Sequence, residues 1–417
     1  MRGGGAEMPR PLPPGAAARP GADVPRGGAL AVFLVFLRLG LSSFGGPVAH
    51  LGYFHEAFVV RRRWLSEAAY ADLVALCQFL PGPASSQVGM ALGLLRAGLP
   101  GALAAWIGFT LPSALVLALL GLGVSAWEAL PGSGLLHGLK LAAVAVVAQA
   151  VWGMGRSLCP DAPRATIAAA ACALLVHSGA WMQAAVIAGA AGLGFALLRN
   201  GAAAPDGQEV LHVPLRRRTG LVLLLLGALL LAALPLLVQA WPARGLAMFD
   251  VFYRAGALVF GGGHVVLPLL QAEVVPPGWV GEEVFLAGYG AAQAVPGPLF
   301  TFAAFLGAVA GGWPGALLAL VAIFLPALLL VLGALPFWER LRRDAGARAA
   351  LAGVNAAVVG LLLAALYDPV WTGSVRGAGD FAQVVAAVVA LTVWRLPPWA
   401  VVLASAALGW LRVSAAL

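Results

Sequence analysis

Apolar stretches of 18 or more residues recur along this chain of 417 residues, for example at 101–124, 219–240 and 314–335. Each stretch is long enough to cross a hydrocarbon layer of about 30 Å as a helix. The whole chain is 61% hydrophobic and only 10% charged, whereas a soluble protein carries about a quarter charged residues. The runs are continuously apolar rather than alternating, which excludes a membrane β-barrel. The sequence therefore predicts an all-α polytopic membrane protein.

The charged residues indicate how the chain is oriented in the membrane. They do not indicate a polyanionic binding partner. Basic residues outnumber acidic ones by 25 to 17, but most are Arg in short loops between apolar stretches, as in cytoplasmic loops of membrane proteins. We therefore expect no nucleic-acid partner. Residues 1–28 are rich in Gly, Pro, Ala and Arg, and we predict a disordered tail on the cytoplasmic side. The three cysteines form no CxxC pair, so we expect small buried side chains rather than metal ligands.

The chain contains two similar halves. FLRLGLSSFGGP at 36–47 matches FYRAGALVFGGG at 252–263. LCQFLPGPASSQ at 76–87 and AAQAVPGPLFTF at 291–302 share a Gln, two further residues and then Pro-Gly-Pro, at an offset of 215 residues. A series of matches at nearly constant offset indicates an internal repeat.

Corresponding loops of the two halves differ in positive charge. The loop RRRW at 61–64 has three Arg, while its counterpart PPGWVGEE at 276–283 has none. The reverse holds for ERLRRDAGAR at 339–348, which has four Arg, and its counterpart at 128–137, which has none. Since Arg marks cytoplasmic loops, corresponding loops face opposite sides of the membrane. This pattern predicts an inverted-topology two-fold repeat, an arrangement of many secondary transporters.

The repeat suggests domain boundaries. We place the first repeat at 29–200, a cytoplasmic loop with a linker helix at 201–245, and the second, inverted repeat at 246–417. The linker helix, 219–240, crosses the membrane once and so reverses the second half.

Each half is broken twice inside an apolar segment. Pro81-Gly82-Pro83 interrupts 68–97, and Phe44-Gly45-Gly46-Pro47 interrupts 30–58. Proline removes a helix donor and clashes with the preceding turn. Because the Arg residues on both sides of 68–97 are expected in the cytoplasm, this segment must enter and leave on one side, as a re-entrant helical hairpin. A kinked helix is the alternative.

A helix that restarts inside the membrane presents free N–H groups and a partial positive charge, which suit an anion. Glycine lets a ligand approach the backbone, and hydroxyl or amide side chains add donors. Helix capping is the alternative role for each hydroxyl. We expect the anion to contact residues of the four restarts: Gly45, Gly46, Gly82, Ser85, Ser86, Gln87, Gly261, Gly262, Gly297 and Thr301.

Arg38 and Arg254 occupy matching positions in apolar segments. A charge at such a position is costly and usually functional, and the planar guanidinium fits two oxygens of an oxyanion. We add both residues to the predicted substrate site. An Arg that reaches to the membrane interface is the alternative.

Proton coupling needs a group that titrates during transport. Glu56, Glu273 and His264 lie in or beside the broken segments and are our candidates. Other titratable residues lie near the same breaks: His50, Asp72 and Asp250.

The sequence lacks the signatures of the common catalytic sites. It contains no P-loop, HExxH, GxSxG or paired Cys/His spacing. We therefore expect no enzyme, no cofactor and no metal site. Without a nucleotide site, transport would depend on ion gradients.

Four stretches resemble the chromate ion transporter family, in its long-chain type with two homologous domains in one polypeptide. They are FLRLGLSSFGGPVAH, RRRWLSEAAYADLVALCQFLPGPASSQVGMALG, FGGGHVVLPLL and GYGAAQAVPGPLFTFAAFLG. The resemblance covers nearly all of the chain beyond residue 30. It implies export of chromate across the inner membrane, driven by the membrane potential or by proton antiport, and hence chromate resistance. The N-terminus is expected in the cytoplasm.

The resemblance does not determine which anion is transported. Chromate and sulfate are both tetrahedral dianions, so a transporter of sulfate or another oxyanion is the alternative, and an anion channel is a further one. The expected partners are a chromate or sulfate dianion and the lipid bilayer. A homodimer is one of the assemblies open to such a chain.

Overall fold

A computed structural model describes residues 28–123, 134–176, 180–199, 214–260, 263–341 and 343–414. All regular secondary structure in these ranges is helical. The predicted disordered tail lies outside the described residues, except for Gly28.

The first half and the linker contain eight numbered helices within the described ranges. They are α1 (Ala29–Ser42), α2 (Gly46–His55), α3 (Glu67–Phe79), α4 (Ala84–Leu122), α5 (Gly134–Leu158), α6 (Ala162–Leu175), α7 (Ala180–Leu198) and the linker helix α8 (Arg217–Ala240). A wide π-helical turn, Glu56–Arg61, extends α2.

The second half follows the same order of elements. Its helices are α9 (Arg244–Leu258), α10 (Val266–Val274), α11 (Glu282–Gln293), α12 (Phe302–Ala334), α13 (Ala345–Ala365), α14 (Ala378–Thr392) and α15 (Pro398–Ser414). Short turns connect them, including Leu299–Thr301 before α12.

Five helical segments in the described residues are long and apolar enough to span a membrane. They are Ala84–Leu122, Gly134–Leu158, Arg217–Ala240, Leu299–Phe337 and Ala345–Trp371. The predicted class, an all-α polytopic membrane protein, is confirmed.

The helix breaks lie where proline and glycine predict them. Helix α3 ends at Phe79 and α4 begins at Ala84, with Gly82 between them at a φ of 116°. In the second half Gly297 has a φ of 110° between α11 and α12. Only glycine adopts such angles without strain, so these two turns depend on it.

Helices α4 and α12 each consist of two segments folded back on one another. Backbone angles leave the helical region at Ala97 and Gly98 in α4, and at Gly311 and Gly312 in α12. In α4, Gly93 packs backbone to backbone against a glycine eight residues later, although eight residues of straight helix would separate them by about 12 Å. The chain therefore reverses at 97–98, and by the same criterion at 311–312.

One of the extensive contacts between the halves is made by α4 and α12. Gly297 lies against Ser113, and Gly121 lies against the backbone of Phe305. The first segment of α12 thus runs in the same direction as the second segment of α4. The reversal at 97–98 and the reversal at 311–312 therefore lie at opposite ends of this pair. This geometry favours an inverted repeat, while the orientation of each half in the membrane stays a prediction.

Candidate functional site

A small cavity opens where the breaks of the two halves meet. Gly45 and Gly46 contribute the break between α1 and α2, and Gly297 contributes the tip between α11 and α12. The complete lining combines both halves: Gly45, Gly46, His264, Ala292, Gln293, Val295, Gly297, Leu299 and Pro398. The structure thus brings together three predicted substrate-site glycines and one predicted proton-coupling histidine.

Hydrogen bonds tie each Pro-Gly-Pro turn to the break in the other half. The Gly82 N–H donates to the carbonyl of Val259 at 2.6 Å, and the Gly297 N–H donates to the carbonyl of Ser43 at 2.9 Å. Val259 and Ser43 each directly precede the Phe of a Phe-Gly-Gly motif. Backbone groups freed at a break inside a membrane need a partner, and here the opposite half supplies it.

His50 supports this junction from the first half. The buried ring places Nε2 at 3.2 Å from the Ser43 carbonyl oxygen and Nδ1 at 3.3 Å from the Ser85 hydroxyl. A carbonyl only accepts, so Nε2 carries the proton, and Nδ1 of the neutral ring accepts from Ser85. Ser85, predicted to contact the anion, is therefore bonded to His50.

His264 lies on the cavity wall and is oriented by Tyr289. The Tyr289 hydroxyl is fully buried and lies 2.7 Å from Nδ1 of His264. The described residues offer this hydroxyl no other acceptor, so it donates its hydrogen bond to Nδ1 of His264. The ring proton is then on Nε2, and His264 offers a neutral N–H donor.

Gln293 adds a second neutral donor. It ends α11 and lines the cavity, and its Nε2 is buried without a hydrogen-bond partner among the described residues. A buried amide that finds no partner is costly, so this nitrogen suits a bound acceptor such as an oxyanion. The cavity lining that the structure describes contains no Asp, Glu, Lys or Arg.

The other residues predicted after the Pro-Gly-Pro turns mostly bond locally. Gln87 Nε2 donates to the Pro81 carbonyl at 2.8 Å, and Thr301 Oγ1 donates to the Pro298 carbonyl at 2.7 Å. The Ser86 hydroxyl is buried and has no hydrogen-bond partner within the described ranges. None of these side chains lines the cavity. Gly261 and Gly262 lie outside the described residues.

The two predicted anion-binding Arg residues differ in environment, and neither belongs to the cavity lining. Arg38 is exposed on α1. Arg254 on α9 binds Glu273 on α10 through two bonds, Nη1–Oε1 at 2.8 Å and Nη2–Oε2 at 3.1 Å. Its Nε also donates to Asp250 Oδ2 at 3.0 Å. Glu273, a predicted proton-coupling residue, is thus already paired.

Glu56, the remaining predicted coupling residue, lies in the π-helical turn after α2. Its Oε1 accepts from Nε of Arg61 at 2.8 Å, and half of the Glu56 side chain is exposed. This is a surface ion pair outside the cavity lining.

Sequence reasoning missed Gln293 and Tyr289 as site residues. Gln293 was visible as the Gln of the Gln-x-x-Pro-Gly-Pro motif, but Gln78 occupies the same place in the first half and is exposed. Tyr289 has no sequence signal beyond its position one turn before Gln293.

The described residues contain no group of three or more His, Cys, Asp or Glu side chains placed to hold a metal ion. The chemistry available at the cavity is hydrogen bonding by backbone and neutral side-chain donors.

Known proteins are similar to this chain over most of its length. A family model described as Chromate transporter matches residues 30–195 and 246–410. A chromate transport protein of Pseudomonas aeruginosa is 32% identical over 355 residues, which cover 81% of this chain and 80% of that protein.

Two further relatives carry similar names. A probable chromate transport protein of Synechococcus elongatus is 29% identical over 346 residues, 79% of this chain and 82% of that protein. A chromate transport protein of Cupriavidus metallidurans is 29% identical over 347 residues, 80% of each. No solved structure matches the chain.

Proposed function

Because this chain belongs to the chromate transporter family, we propose that it exports chromate from the cytoplasm across the inner membrane and so confers chromate resistance. The N-terminal tail lies in the cytoplasm in this proposal, and the two halves have opposite orientations. The substrate is bound where the breaks of the two halves meet.

The cavity between the halves is the observation that carries this proposal. It is formed by the restart of α2, the tip before α12 and His264, which lies two residues after the second Phe-Gly-Gly. Transporters with inverted repeats bind substrate at such discontinuous helices near the middle of the membrane. A site shared by both halves opens to either side when one half moves against the other.

Neutral donors account for how a dianion is held. The N–H groups in the first turn of α2, to which Pro47 contributes none, have no partner within the helix and carry partial positive charge. Gln293 Nε2 and His264 Nε2 add side-chain donors from the other half. An anion bound without a fixed cation is released more easily than one held by a salt bridge, which suits a carrier.

The membrane potential is a sufficient driving force. An inside-negative potential pushes a dianion outward by about 4.6 kcal/mol at 100 mV, from about 2.3 kcal/mol per charge. This corresponds to a concentration ratio of over about a thousand. Export against a gradient therefore needs no exchange of protons.

A transporter of sulfate or another tetrahedral oxyanion is the second candidate. The observation that favours it is the neutral lining of the cavity, because backbone and amide donors distinguish poorly between dianions of the same shape. Chromate and sulfate therefore compete for one site in this proposal.

Uptake into everted membrane vesicles tests both candidates. Vesicles with the protein should accumulate labelled chromate above vesicles without it, more with an imposed potential, and sulfate should compete. Gln293→Leu should lower chromate uptake about tenfold or more, since a hydrogen bond to a charged group contributes about 1.5–3 kcal/mol.

Gln78→Leu is the matched control, because Gln78 holds the same motif position but is exposed. It should retain uptake close to that of the wild type. Equal loss in both variants would argue against the cavity as the substrate site, and sulfate uptake without chromate uptake would select the second candidate.

A further inference from the structure

Three charged side chains form a cluster between α9 and α10, the two helices on either side of the second Phe-Gly-Gly break. Arg254 binds Glu273 through both terminal nitrogens and Asp250 through Nε. Asp250 is 4% exposed, and its Oδ1 is buried with no hydrogen-bond partner among the described residues. One acceptor atom of this cluster is therefore left without a proton donor.

Among the described residues, the side chains of the cluster form hydrogen bonds only with one another. Helix α9 packs against α8, α10 and α12. Helix α12 contains no charged residue, and the only charges of α8, Arg217 and Arg218, lie at its first two residues.

Glu273 is the charged residue of α10, and Arg244 at the start of α9 bonds the Ala310 carbonyl. Helix α10 also packs against α7, which has no charged residue, against α11, whose charged residues are Glu282 and Glu283 at its start, and against α13, whose charged residue is Arg348.

The cluster consequently has one more negative than positive group. With both carboxylates ionised its net charge is −1, and Asp250 is buried while the side chains of Arg254 and Glu273 are about a quarter exposed. A buried charge without a partner is costly, and two carboxylates that share one site do not both ionise freely. One added proton makes the cluster neutral and supplies the donor for an unpaired oxygen.

The cluster also lies close to the proposed substrate site. Glu273 follows His264, which lines the cavity, by nine residues, or about 13 Å along a helix. Charges separated by this distance interact appreciably where salt does not screen them.

We propose that the Asp250–Arg254–Glu273 cluster binds one proton, and that this proton and the transported oxyanion favour each other's binding. The proposal rests on the proposed function. The ionised cluster repels a dianion in the cavity, and the protonated cluster does not. By reciprocity, a bound dianion promotes protonation of the cluster. This sign is opposite to the one that proton antiport requires, so the membrane potential remains the driving force for export.

The sign of the coupling between the proton and the oxyanion determines how the affinity for the oxyanion depends on pH. As pH rises and the cluster loses its proton, its charge becomes −1 and the affinity for the oxyanion falls. As pH falls, the cluster becomes neutral and the affinity reaches its maximum. Asp250→Asn and Glu273→Gln each leave one guanidinium and one carboxylate, a pair that is neutral as long as the carboxylate is ionised.

Chromate uptake into everted vesicles, with equal pH on both sides, tests the proposal. The quantity compared is the KM of the wild type divided by the KM of each variant. Because chromate has the same ionic form for all proteins at a given pH, its own titration cancels in this ratio. The ratio should be near one at acid pH and rise to about tenfold at alkaline pH. Glu67→Gln, which alters an exposed carboxylate paired with His55, should give a ratio near one throughout.

The two amide variants make the same prediction, so either suffices if the other does not reach the membrane. A flat ratio for both, or a ratio that falls as pH rises, would overturn the proposal while leaving chromate transport intact. Absence of wild-type uptake above empty vesicles would overturn the proposed function as well.

Discussion

The two halves share their backbone geometry and differ in the charges around it. Gly82 and Gly297 have φ angles of 116° and 110°, and each donates a hydrogen bond to the residue before the opposite Phe-Gly-Gly. Yet Arg38 is exposed, whereas Arg254 at the matching position is held by two carboxylates. The repeat reproduces the turns that create the breaks, and it leaves the side chains of each half free to take different roles.

The strongest test of the comparison is the side of the membrane that each half presents. In a protein with Cys77, Cys159 and Cys172 replaced by Ala, Arg61→Cys and Pro276→Cys place one thiol at corresponding exposed positions. An impermeant maleimide should label position 276 in intact cells and position 61 only after permeabilisation, because Arg-rich loops are cytoplasmic.

The labelling result should be all or none at each position. Labelling of both positions from the same side would mean that the halves are parallel repeats, and the inverted arrangement would be wrong.

The second test asks whether both reversals depend equally on small residues. Gly93→Val and Gly307→Val each place a branched side chain against the backbone of Gly101 or Gly315, respectively, where no space exists. Each should lower the free energy of unfolding by more than about 3 kcal/mol, because backbone cannot move aside as a side chain can.

Thermal unfolding of the purified protein in detergent measures this effect. Gly153→Val is the control, since nothing lies within 4 Å of a Cβ at Gly153, and it should change stability by less than about 1 kcal/mol. A large loss from only one of the two reversal variants would show that the halves differ in their scaffold as well as in their charges.

The smallest expected effect concerns the charges themselves. Arg254→Ala leaves Asp250 and Glu273 without a base and should destabilise the protein by about 1–3 kcal/mol, since a quarter of the Arg254 side chain is exposed. Arg38→Ala removes an exposed side chain and should change stability by no more than about 0.5 kcal/mol. The same melting experiment compares the two, and equal losses would contradict the asymmetry described here.

The sequence predicted the breaks well because proline and glycine act locally. Pro81, Gly82 and Pro83 end one helix and begin another irrespective of their neighbours in space. The membrane class followed from the length of the apolar stretches. Both features can be predicted without knowing which surfaces of the protein pack against each other.

Side-chain partners could not be predicted in the same way. Arg254 reaches Glu273 only because α10 returns beside α9. In the first half Leu34 stands in place of Asp250, and the nearby Glu56 pairs with Arg61 instead. Gln293 lies in the cavity because the two halves meet there, whereas Gln78 at the matching position is exposed. A repeat in the sequence aligns positions but does not reveal which of two equivalent side chains faces a shared space.

The hydrogen bonds between the halves also have a consequence for synthesis. Val259 follows Gly82 by 177 residues, and Gly297 follows Ser43 by 254 residues. At about 5–20 residues per second, the ribosome makes the second partner roughly 10 to 50 s after the first. During that interval the newly inserted first half holds an unpaired amide and an unpaired carbonyl within the bilayer, so a pause in translation between residues 82 and 259 lengthens the period in which the nascent chain is most exposed to quality control.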